Sequence, residues 1–108
     1  MSSVSVARVL PADHPSFAGH FPGQPLLPGV VLLAEVLEAA LADATLVALL
    51  GPQPVLASAK FLAPVSPQGR APIELAITFE LLAHGAKFEI VRGGVAVARG
   101  QFNAGEPR

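Results

Sequence analysis

The chain has 108 residues, with seven Lys and Arg against eight Asp and Glu for a net charge of −1; one domain over 1–108 is expected, and with no basic run the electrostatic footprint of a nucleic-acid binder is missing. Cysteine is absent, which excludes disulfides, thiol chemistry and thiolate-bound zinc. Hydrophobic residues make up 52% and charged residues 14%, against about 25% charged in an average soluble domain, so both a surface hidden in an oligomer and an apolar ligand pocket are predicted.

Residues 3–10 (SVSVARVL) alternate and read as a short strand, ended by Pro11. The first fifteen residues show no charged segment followed by an apolar core, so no signal peptide is read and a cytoplasmic location is expected. From 12 to 29 the chain is broken by Gly19, Pro22, Gly23, Pro25 and Pro28, which rules out a regular helix or a central strand. A loop of this length in a small domain is usually functional.

Pro28-Gly29 opens a helix, because a first-turn proline loses no helical hydrogen bond. One helix over 30–50 is predicted, rich in Leu and Ala and stopped by Gly51-Pro52. It is apolar around most of its circumference, so something must wrap it. Its length approaches that of a membrane span, but Glu35, Glu38 and Asp43 lie within it. Carboxylates at that depth are costly, and a buried helix with no membrane contact is the better reading.

The wrapper follows as four strands, over 55–63, 73–82, 87–91 and 95–102. The second alternates cleanly, with Ile73, Leu75, Ile77, Phe79 and Leu81 on one face and Glu74, Thr78 and Glu80 on the other. Gly93-Gly94 is a good hairpin pair. An α+β architecture results, with one curved antiparallel sheet around one helix.

The segment 14–38 reads HPSFAGHFPGQPLLPGVVLLAEVLE. Gly19-His20-Phe21-Pro22-Gly23, Pro25 and Pro28-Gly29-Val30 match, in identity and spacing, the signature of the beta-hydroxyacyl acyl-carrier-protein dehydratases, and the chain resembles that family. A second match is Lys60-Phe61-Leu62-Ala63-Pro64-Val65-Ser66-Pro67, where the family's following Gly-Asp appears as Gln68-Gly69. The pattern over 26–37 looks more like the accessory, pigment-type dehydratases than the housekeeping enzyme. The resemblance implies a hot-dog fold and a homodimer, with active sites at its interface, or a higher oligomer. The implied substrate is a 3-hydroxyacyl thioester carried on acyl carrier protein or coenzyme A.

Dehydrating such a thioester needs a base at C2 and an acid at the C3 hydroxyl. Neutral imidazole suits the first task, which the resemblance gives to His20. A protonated carboxylic acid in an apolar tunnel suits the second. The developing enolate needs hydrogen-bond donors, and the resemblance gives that role to the backbone N–H of Gly29 at the helix N-terminus. Phe21, Pro28 and Val30, inside the same motif, are further candidate substrate contacts.

The family's acid falls fourteen residues after its histidine, and that place holds Ala34. Two replacements remain open. Glu35 is about 1.5 Å further along the axis but turned by about 100°; Glu38 is turned by about 40° but displaced by about 6 Å. Glu35 is preferred, because one residue of register slip is cheap at an irregular helix start.

Blander readings stand beside these. His20 is a structural histidine, or Glu35 and Glu38 form one solvated helix edge. Phe21 is a core residue. His14 serves a turn, and His84 sits exposed in a hairpin. The three histidines lack metal-ligand spacing, and neither a metal nor a cofactor is expected. Two other functions compete with dehydration: a non-catalytic thioester binder or heterodimer partner, which Ala34 favours, and a hot-dog thioesterase.

Overall fold

The computed structural model describes residues 2–15 and 26–105. Strand β1 (Ser3–Leu10) is followed by helices α1 (Gly29–Leu41) and α2 (Ala44–Leu50), then β2 (Val55–Phe61), β3 (Ile73–Leu81), β4 (Gly85–Arg92) and β5 (Val95–Asn103). The strands form one sheet in the order β1-β3-β4-β5-β2, and every neighbouring pair is antiparallel. The expected α+β sheet-and-helix architecture is present.

Period-two patterning decides which face is buried. Ile73, Leu75, Ile77 and Phe79 are buried while Glu74, Ala76 and Thr78 between them are exposed. Ala86, Phe88 and Ile90 continue that inner face on β4. On β5 the register shifts opposite Ile90 and Val91, so that Val97 and Ala98 are buried in succession. A bulge of this kind adds one residue and re-aims the strand. The β4–β5 turn uses Gly93 and Gly94 at φ of 56° and 81°, a left-handed pair that suits a tight hairpin.

The helical segment differs from the single helix expected over 30–50. It breaks at Ala42-Asp43, where Asp43 takes an extended conformation and its carboxylate accepts a hydrogen bond from the Leu46 amide at 3.0 Å. Asp is a strong N-cap because its side chain satisfies an amide that the new helix leaves open. Leu32, Val36, Ala39 and Ala40 of α1, with Leu46 and Leu50 of α2, close the core against the sheet.

The helix is not wrapped on all sides. Ala34 is exposed, as are Val30 (72%), Leu41 and the Glu38 side chain, and together they form a stripe along α1 opposite the sheet. Strand β2, at one edge of the sheet, is exposed at every position. Among the described residues no helix is long and apolar enough to cross a membrane.

Candidate active site

The N-terminus of α1 is built by short tethers. Pro28 holds the N-cap position in an extended conformation, and its carbonyl accepts from Val31 at 3.0 Å and Leu32 at 3.4 Å. Pro28 brings no capping side chain, and the first turn has no acidic residue. The amides of Gly29 and Val30 find no backbone acceptor among the described residues. These are the groups a helix N-terminus leaves for an external acceptor, at the positive end of its dipole.

The approach to the helix is fixed by Leu27, whose amide donates to Val65 O at 2.8 Å. Val65 lies in the loop after β2, and that loop is fixed in turn by Leu62 and Ala63, which both donate to Val97 O at the β5 bulge. A cleft of 240 Å³ lies here, lined by Leu27, Gly29, Leu32, Phe61, Pro64 and Val65 among others. Larger hollows, of 510 and 690 Å³, lie between Pro11–Asp13 and Gly69–Pro72 and across the outer face of the sheet. Neither includes Gly29.

The two candidate acids share one partner. Arg8 on β1 donates from Nε to Glu35 Oε1 at 3.0 Å, and its Nη2 lies 3.5 Å from Glu38 Oε1. Glu35 is buried, with a side chain 10% exposed, whereas that of Glu38 is 65% exposed. The solvated helix edge therefore holds for Glu38 and fails for Glu35. Burial of Glu35 follows from its place one residue round from the outward stripe, and burying a carboxylate demands a partner. Arg8 is that partner, and sequence reasoning did not single it out. Its signal was its place on β1, where Val4, Val6, Arg8 and Leu10 turn to the more buried side.

Ala34 stands exposed on the outward stripe of α1. Of the candidate contacts, Pro28 and Gly29 are half-buried and Val30 is exposed. His20 and Phe21 lie outside the described residues, so their distances to Gly29, Glu35 and Glu38 form no part of this geometry. His84 is exposed beside β4, as the hairpin reading expected. No three His, Asp or Glu side chains converge as metal ligands among the described residues.

The family described as ApeI dehydratase, ApeI-like, matches residues 1–101. This chain belongs to the ApeI-like dehydratase family. It is also similar to the 3-hydroxyacyl-acyl-carrier-protein dehydratase FabZ of Anaeromyxobacter sp. (strain K), at 33% identity over 102 residues, covering 85% of this chain and 64% of that protein. The chain thus spans somewhat less than two thirds of the length of the curated relatives it matches. Among solved structures, a chain of the dehydratase heterocomplex ApeI:P from Xenorhabdus doucetiae superposes with a TM-score of 0.68 at 25% identity, covering 94% of this chain and 85% of that one. The bifunctional dehydratase-cyclase domain in ambruticin biosynthesis superposes at 0.69 with 24% identity, covering 99% of this chain and 38% of that one, a likeness of fold. The ApeI-like fold is thus the hot-dog fold that the sequence motifs implied.

Proposed function

We propose that this chain is the base-bearing subunit of a dehydratase for 3-hydroxyacyl thioesters on acyl carrier protein or coenzyme A, and that its acid comes from another chain. One observation carries this reading. The place of the family acid is Ala34, exposed, while Arg8 engages both neighbouring carboxylates. The methyl of Ala34 has no proton to give to the leaving hydroxyl, and Arg8 occupies the side chains of both neighbouring carboxylates.

His20 takes a proton from C2 of the substrate. The Gly29 amide donates to the thioester oxygen as negative charge gathers there, at the positive end of α1. The C3–O bond then breaks, and the hydroxyl leaves as water with a proton from the partner's acid. The products are a trans-2-enoyl thioester and water, and no cofactor takes part. The outward stripe of α1 and the open edge of β2, where Val55 and Leu56 are exposed, are the surfaces left for a second chain. That a similar structure is a dehydratase heterocomplex supports a mixed pair here over two identical chains.

The purified chain alone is expected to produce no enoyl absorbance from 3-hydroxyacyl thioesters and to release no free thiol. Mixing it with a family member that has a carboxylate at the matching position restores turnover, and His20→Ala in this chain removes it again. Turnover by the chain alone that Glu35→Gln abolishes, in a variant of unchanged circular dichroism, contradicts the proposal. Thiol release without enoyl formation points to a thioesterase instead.

A further inference from the structure

Phe61 belongs to the second sequence motif, and the proposed chemistry gives it no role. It closes β2, paired with Ala98 on β5, and the Leu62 and Ala63 amides that follow are held by Val97 O. Its ring does not pack as the core phenylalanines do. Phe79 is 0% exposed and Phe88 3%, whereas Phe61 is 50% exposed. Its tip nevertheless rests on the backbone of Gly29. A Cβ on Gly29 would lie 2.6 Å from Phe61 Cζ and 2.9 Å from each Cε. Contacts below 3 Å cannot be kept without movement, so the residue at 29 must lack a side chain while the ring stays there. The same ring forms a wall of the 240 Å³ cleft beside the open Gly29 amide.

We infer that Phe61 is a specificity-determining residue, which limits the width of the acyl group that can bring its carbonyl to the Gly29 N–H. The inference rests on the reading of Gly29 as the carbonyl donor. A carbonyl bound at that amide brings the start of the acyl chain into van der Waals contact with the ring tip that walls the cleft. A hydrogen on C2 fits beside the ring, and a methyl branch there meets it. Linear acyl groups are thus favoured over those branched at C2, and a smaller residue at 61 removes the difference.

Binding separates this from catalysis, because an enoyl thioester needs no acid in order to bind. Crotonyl-CoA and 2-methylcrotonyl-CoA are titrated calorimetrically into the wild-type chain and into Phe61→Ala. The wild type is expected to prefer the linear ester by about tenfold, the lower end of what one methyl decides in a tight apolar site. Phe61→Ala is expected to bring the two within about threefold, mainly by tightening the branched ester. Equal binding by the wild type, or a preference unchanged by Phe61→Ala, overturns the inference.

A second measurement tests the contact without any ligand. Gly→Ala in the first turn of a helix is ordinarily neutral or stabilising where the backbone permits it. Gly29→Ala has to push the half-exposed ring tip aside and is therefore expected to lower Tm slightly, and Gly29→Ala with Phe61→Ala to recover that loss beyond additivity. Additive shifts overturn the contact and the inference with it. If neither ester binds the wild type while the Tm recovery is seen, the thioester reading of Gly29 has failed, and the specificity role falls with it.

Discussion

On the sheet-facing side of α1, Leu32, Val36, Ala39 and Ala40 are buried, and even the charged Glu35 is enclosed with a guanidinium at 3.0 Å. On the opposite side Val30, Ala34 and Leu41 stand in solvent, and Glu38 is mostly exposed despite its contact with Arg8. One side of the helix is complete within a single chain. The other leaves Val30 and Leu41 uncovered by the chain's own sheet. Ala34 falls on the open side, while Arg8 holds Glu35 on the closed side and Glu38, 3.5 Å from the same guanidinium, stays mostly exposed. Glu35 stabilises the contact between β1 and α1 through its ion pair with Arg8.

That contrast can be broken by substitution. Leu32→Ala removes a nearly enclosed side chain and is expected to cost about 3 kcal/mol in urea unfolding. Arg8→Ala leaves the buried Glu35 carboxylate without its partner and is expected to cost about 2 kcal/mol. Glu38→Ala removes only the exposed, 3.5 Å arm of the same contact, and the expected loss is about 0.5 kcal/mol. Equal losses for Arg8→Ala and Glu38→Ala would mean that Glu35 does not depend on Arg8 as the geometry has it. Val30→Lys, on the outward stripe, is expected to leave the monomer's stability within about 0.5 kcal/mol. It should still shift sedimentation toward the monomer mass, since it sets an ammonium on the stripe of α1 proposed to meet the second chain.

The strands and the site were legible in unequal measure. β1 was read from valine alternation with its bounds intact, and β3 from its alternation with one extra residue at the end, because one buried face enforces period two. The helical break at Asp43 was missed, although an Asp ahead of Ala44-Thr45-Leu46 is a capping signal; the apolar run around it was the louder pattern. Strand β2 was read two residues too long, since Leu62 and Ala63 turn to the β5 bulge in place of extending the ladder. The start of α1 at Pro28-Gly29 followed from the sequence. The Arg8–Glu35 pair did not, because it joins residues 27 apart in sequence and exists only once β1 lies against α1. The motif around His20 carries its expected role from the resemblance, and that residue lies outside the described geometry.

The account depends most on Ala34 as the missing acid, and an Ala34→Glu variant assayed for enoyl thioester formation tests it directly. A wild-type chain without turnover, and a variant at least about 100-fold above it, as expected for a positioned proton donor, is the predicted result. A wild type that turns over unaided, with Ala34→Glu adding nothing and Glu35→Gln silencing it, would contradict the account.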